Sequence, residues 1–263
     1  MGVEIKEFLE FIRLRVCLYV TSLALTGFII AEQNMQKSPL LALTAFSATA
    51  AMYSLNQLSD EYEDLLNKKK INHFVRNGYG RHITLFLLLS TLLLALMLTK
   101  TSLLLLILSL SLGIIYSKVK VKKISPIKNL YAMLSISLMF LVGATAYNVD
   151  LGMSLLSAYL AVSLYVLSIS VMADLRDYVG DRMAGVKSIP AMWGYEKGKI
   201  VLCSLILVFM SMVLVDRLMV FYILFLFTPL VLFNILRDRI YNAYKLLSIS
   251  FLSLPLAAVM IIL

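Results

Sequence analysis

Charge is scarce in this chain. Asp, Glu, Lys and Arg make up 15% of its 263 residues, where soluble domains carry about 25%. That shortage excludes an ordinary soluble globular domain. Cysteine is nearly absent as well. Cys17 and Cys203 stand in separate apolar blocks with no CxxC and no histidine beside them, so they read as packing residues. The two histidines, His73 and His82, lack metal-ligand spacing and read as loop residues. No Ser–His or Cys–His pairing is available, which excludes a covalent enzyme intermediate of the usual kind. No linker or low-complexity tract divides the chain, so residues 1–263 are read as a single domain.

Apolar residues fill the space that charge leaves. They make up 61% of the chain, at a mean hydropathy of +0.90. They come in blocks of roughly 16–22 residues, the length needed to cross a bilayer core of about 30 Å. The pattern predicts an all-α, polytopic membrane protein. Its nine expected transmembrane helices lie at about 14–32, 39–57, 82–99, 102–117, 129–147, 152–173, 199–216, 219–236 and 245–263. The first block follows a charged start (Glu4, Lys6, Glu7, Glu10, Arg13, Arg15) and lacks a small-residue cleavage site, so it is expected to be a retained span rather than a signal peptide. With the N-terminus in the cytoplasm and the C-terminus outside, all of the 24 Lys and Arg except Lys37, Lys100 and Arg217 fall on the cytoplasmic side. Basic residues favour that side near span ends. The net charge of +9 is therefore a topology signal facing anionic lipid, and nucleic-acid binding is not expected.

Function is expected on the two long cytoplasmic connections, 58–81 and 174–198. The second span runs into "NQLSDEYED", where Asn56, Asp60 and Asp64 are spaced i, i+4, i+8. The sixth runs into "DLRDYVGD", where Asp174, Asp177 and Asp181 are spaced i, i+3, i+7. Each set lies on one helix face. Ionisable groups at membrane depth are costly and mark a cavity or substrate path. All-oxygen donor sets without His or Cys argue against zinc and copper. They suit Mg²⁺, which commonly uses one or two carboxylates together with substrate phosphates. Lys118, Lys187, Arg15 and Arg176 are within topological reach of the same face and suit phosphate oxygens.

"NQLSDEYED" resembles the NxxxDxxxD motif of the UbiA superfamily of intramembrane prenyltransferases. "DLRDYVGDRMAGVKSIPAMWG" resembles that superfamily's second motif, roughly DxxDxxGDxxxGxxTxP and a glycine. The resemblance covers the whole chain and includes a "YS" followed by basic residues after the fourth span. It implies a helical bundle around a central, lipid-accessible cavity, with Mg²⁺ and a polyprenyl diphosphate donor. It implies that Asn56, Asp60 and Asp64 hold one Mg²⁺–diphosphate set and that Asp177 and Asp181 hold the second, with Asp174 at a position that is Asp or Asn in relatives. Asp60, Asp64, Asp177 and Asp181 would then be catalytic. Lys118, Lys187 and Arg15 match basic positions that contact diphosphate, and Tyr116 and Ser117 match a position near the cavity roof.

The lysine-rich inner loops and the second motif look like archaeal relatives that add geranylgeranyl to a glycerol-phosphate ether lipid. An aromatic acceptor (a quinone precursor, chlorin or haem) is the alternative. One departure bears on that choice. Many relatives follow the first motif with NRPxRP, whereas "NKKKINHFVRNG" contains no proline and places lysines where they carry arginines. A divalent-cation or anion transporter is a reading of a different class. Transporters break helices at the bilayer midplane, whereas here the acids sit at helix ends and the mid-span runs are unbroken.

Overall fold

The computed structural model describes residues 2–31, 38–66, 70–119, 127–147, 152–183 and 185–262. The side chain of Asp64 lies outside the described residues, as do Lys37, Lys68, Lys69, Lys120, Lys122 and Lys123. Fourteen helices follow in chain order among the described residues: α1 (Gly2–Phe11), α2 (Leu14–Ala31), α3 (Ser38–Leu66), α4 (His73–Arg76), α5 (Tyr79–Ala95), α6 (Lys100–Lys118), α7 (Ile127–Ala144), α8 (Met153–Arg176), α9 (Tyr178–Met183), α10 (Ile189–Trp193), α11 (Tyr195–Val215), α12 (Ile223–Leu236), α13 (Ile240–Ser250) and α14 (Leu254–Ile262). No strand occurs among them. A 3-10 turn at Met219–Tyr222 leads into α12, and another at Phe251–Ser253 joins α13 to α14. Pro255 accounts for the second turn, because it has no N–H to donate and its ring crowds the carbonyl four residues back.

Eight helices are long and apolar enough to cross a membrane, counting the α13–α14 pair and the turn-led α12 once each. The expected count of nine is one too high by this measure. The difference is α5, whose 17 residues span about 26 Å at 1.5 Å per residue, short of a core of about 30 Å. It still runs the depth of the bundle. At its start, Gly80 packs against Phe11, Phe74 and Leu58. Past its end, Thr99 donates from its backbone to Ala146 O at 3.1 Å and from Oγ1 to Thr145 O at 2.5 Å. Leu85, Phe86, Leu89 and Leu93 on α5 are exposed, as a lipid-facing surface requires.

Small residues let the helices approach closely. A Cβ on Gly27 of α2 would sit 2.0 Å from Phe140 O on α7, and one on Gly143 of α7 would sit 1.8 Å from Ala24 O on α2. Serines bridge α6 and α7 reciprocally: Ser109 Oγ donates to Ser135 O at 2.6 Å and Ser135 Oγ to Ser109 O at 3.1 Å. Such interhelical bonds contribute about 0.6 kcal/mol each in membranes. A core of Val162, Tyr165, Val166, Phe209, Leu247 and Phe251 joins α8 to α11 and α13. On the other side, Val20, Ala24, Phe28, Ala45, Leu106 and Val142 join α2, α3, α6 and α7. Between these halves lies the cavity.

Candidate active site

Five helix termini meet at one end of the bundle: the start of α2, the ends of α3, α6 and α8, and the start of α7. Alternation of direction along the chain brings them there, because α3, α6 and α8 run toward this end while α2 and α7 run away from it. The cavity that opens between them has a volume of about 320 Å³. Its charged and amide lining is Arg13, Asn56, Lys128, Asp174, Arg176 and Asp177, joined by Ser117, Ser135, Ser170 and Ser248. Asn56 lies in the last three turns of α3, and the charged groups lie at or beside helix termini. Its deeper lining is mainly apolar, with Val20, Leu23, Met52, Ile136, Val166 and Ile169. Leu23 lies nine residues into α2, about 14 Å from the mouth. The cavity therefore joins a charged mouth to a mainly apolar interior.

The two acidic clusters are held differently. On α3, Asn56 Nδ2 donates to Asp60 Oδ2 at 3.1 Å, and Ser117 Oγ reaches across from α6 to Asn56 Oδ1 at 3.4 Å. On α8, Asp174 is buried at 4% exposure. Its Oδ1 accepts from Lys128 Nζ at 2.6 Å and its Oδ2 from Asn129 Nδ2 at 2.9 Å. Lys128 Nζ also lies 3.5 Å from Asp181 Oδ2. Asp177 accepts the guanidinium of Arg176 bidentately, Nε to Oδ1 at 2.8 Å and Nη2 to Oδ2 at 2.7 Å. Among the described residues no three His, Cys, Asp or Glu side chains converge as a metal-binding group. The oxygen donors of Asn56 and Asp60 have the chemistry of a hard-cation site. Those of Asp174 are already taken by Lys128 and Asn129.

Of the expected site residues, Asn56, Tyr116, Ser117, Asp174 and Asp177 line the cavity. Asp60 and Asp181 are not in the lining but bond to Asn56 and Lys128, which are. Arg15, Lys118 and Lys187 are exposed and outside the lining. In place of Arg15, Arg13 faces the site, from the break between α1 and α2, where its φ of 51° is a backbone conformation uncommon for a residue with a side chain. Its guanidinium lies 5.3 Å from the centroid of the Tyr53 ring, and that of Arg176 lies 4.6 Å from Tyr244. Sequence reasoning missed Lys128, Arg13 and the cavity tyrosines Tyr19, Tyr53, Tyr131 and Tyr244. For Lys128 the only signal was a lysine–asparagine pair at a span's start.

Comparison with known proteins follows the same lines. The model of the UbiA prenyltransferase family matches residues 20–254. No curated protein matches the chain by sequence. Among solved structures, a digeranylgeranylglyceryl phosphate synthase superposes with a TM-score of 0.72 at 21% identity, covering 99% of this chain and 98% of its own. A UbiA homologue from Archaeoglobus fulgidus bound to GPP and Mg²⁺ gives a TM-score of 0.73 at 17% identity, with 97% and 99% covered. The apo structure of a UbiA homologue from Aeropyrum pernix K1 gives 0.80 at 18% identity, with 94% and 98% covered.

Proposed function

The chain belongs to the UbiA prenyltransferase family, and from that membership we propose that it transfers a geranylgeranyl group from its diphosphate to a membrane-associated acceptor, a geranylgeranylglyceryl phosphate ether lipid, in a Mg²⁺-dependent reaction. One observation carries the reading: both acidic motifs reach a single cavity whose mouth is charged and whose interior is apolar. The prenyl tail fits along Val20, Leu23, Met52 and Val166, and the diphosphate fits at the mouth. Asn56, Asp60 and Asp64 would hold Mg²⁺, and when bound it neutralises the diphosphate and makes it a better leaving group. Arg13, Lys128 and Arg176 add fixed positive charge where the leaving diphosphate accumulates negative charge.

Departure of diphosphate leaves an allylic cation, and the buried lining excludes the water that would quench it. Tyrosine faces in the lining, Tyr19, Tyr116 and Tyr131 among them, are suited to a passing cation. The acceptor's hydroxyl oxygen then attacks the allylic carbon and releases its proton. The lysine-rich inner loops and the second acidic motif support the ether lipid over a neutral aromatic ring. The distribution of Lys and Arg supports a mouth at the cytoplasmic face.

The test is purified protein with Mg²⁺ and radiolabelled geranylgeranyl diphosphate, offered geranylgeranylglyceryl phosphate, a quinone precursor and a chlorin. Product is expected with the first. Product only with an aromatic acceptor replaces the lipid assignment, and no product with any acceptor overturns the enzymatic one. Asp60→Asn is expected to lower turnover by roughly 10²–10³-fold, the scale of removing one charge-stabilising group from an active site.

A further inference from the structure

Every acid of the second cluster is engaged by a cation of the chain itself. Lys128 lies between Asp174 and Asp181, at 2.6 and 3.5 Å, and Arg176 closes on Asp177 at 2.7 Å. Three carboxylates against two fixed cations leave one net negative charge. A divalent ion needs carboxylate oxygens turned toward it, yet each oxygen of Asp174 is turned to a donor of the chain, one to Lys128 and one to Asn129. The ammonium group is well seated: its side chain is 12% exposed, against 5% for Asp174 and 17% for Asp181. An ammonium has three N–H donors. Two are directed at Asp174 and Asp181, and Lys128 also lines the cavity, within reach of a ligand bound there.

We propose that Lys128 is the resident cation of the second cluster. Its ammonium takes the position that a second metal ion would otherwise fill, and it donates its remaining N–H to the diphosphate. The protein then carries a single divalent site, at Asn56, Asp60 and Asp64. Asp174 and Asp181 act as positioning residues that hold Lys128, which revises the expectation that they ligate metal. The inference rests on the prenyl diphosphate reading above. It follows from where α7 begins: Lys128 is the second residue of that helix, and α7 packs along α8 with its start beside the acidic end of α8.

The experiment counts ions. Full-length protein in detergent is titrated with Mn²⁺, read by electron paramagnetic resonance, in the presence of a non-reacting geranylgeranyl thiolodiphosphate whose own binding is followed by radiolabel. The wild type is expected to bind one Mn²⁺ per chain, Lys128→Arg one, and Lys128→Met two, because the vacated carboxylates become ligands. Any wild-type count other than one overturns the proposal, as does a folded Lys128→Met that still binds one. The wild-type count decides by itself if Lys128→Met does not fold. Failure of the analogue to bind at any Mn²⁺ concentration instead overturns the prenyl diphosphate reading, and this inference with it.

Discussion

Arg176 and Lys128 carry the same charge at the same cavity mouth but hold their carboxylates by different means. Arg176 presents a planar fork to both oxygens of Asp177 and lies over the Tyr244 ring. Lys128 is a point charge shared between two acids. An ammonium cannot reproduce the fork or the stacking. Arg176→Lys is therefore expected to keep the net charge yet loosen Asp177. Charge-assisted hydrogen bonds contribute about 1.5–3 kcal/mol, so the KM for the prenyl diphosphate should rise by roughly 10–100-fold. Steady-state kinetics against donor concentration check this, and an unchanged KM would show that the fork has no part in holding the donor. The contrast also explains what was readable beforehand. Asn56, Asp60, Asp174 and Asp177 announce themselves because acids at helical spacing are rare at a membrane boundary. Lys128 and Arg13 are single basic residues at span ends, where most such residues only anchor the helix. Their role appears only once α7 begins beside the end of α8 and α2 begins at the same mouth.

At the scale of helices, α2 and α7 form the seam on which the cavity walls depend, since Arg13 and Tyr19 lie on or beside one and Lys128 and Tyr131 on the other. Gly27 and Gly143 meet backbone atoms rather than side chains across this seam, so a methyl group at either forces the helices apart. Gly27→Ala and Gly143→Ala are each expected to destabilise the protein by about 1–3 kcal/mol, the cost of overpacking, measurable as a lower thermal midpoint in detergent. The segment after the first acidic motif is tied down separately. Glu7 on α1 accepts from Lys70 and, at 3.1 Å, from the backbone N–H of His73, while Asn72 Nδ2 donates to Glu7 O at 2.8 Å. The hydrogen bond from Lys70, then that from His73, holds the Glu7 carboxyl below its ordinary range. Because the folded value is lowered, the tether is present above the ordinary carboxylate range and is lost as pH falls through the folded value. Trypsin cleavage at Lys70 and Arg76 should therefore accelerate in the wild type on acidification through that range, after correction for the enzyme's own pH profile. Glu7→Gln should be cleaved rapidly at all pH values. This tether was invisible in the sequence, since Glu7 and Lys70 are 63 residues apart and Glu7 stands in no motif.

For the whole molecule, the governing feature is that all site-bearing termini share one end. That is a consequence of crossing parity, and parity turns on α5. Hydropathy blocks predicted the crossings well because lipid contact requires continuous apolar runs, but α5 is short and its charged start (Arg81, His82) lies inside the helix. If α5 did not traverse the bundle, Ser117 at the end of α6 could not reach Asn56 in the last three turns of α3. With α5, α6 and α7 all crossing, the mouth and Gly152 at the start of α8 lie at opposite ends of the bundle, and the proposed orientation puts the mouth on the cytoplasmic side. Two exposed positions report this: Asn77, in the turn between α4 and α5, and Gly152, before α8, where an added side chain meets open space. In a Cys17→Ala, Cys203→Ala background, Gly152→Cys is expected to react with a membrane-impermeant maleimide applied to intact cells. Asn77→Cys should react only in inverted vesicles. The converse pattern would reverse the orientation while leaving the cavity intact. Labelling of both positions from one side would mean that α5 does not cross, and the shared end on which the site is built would have to be abandoned.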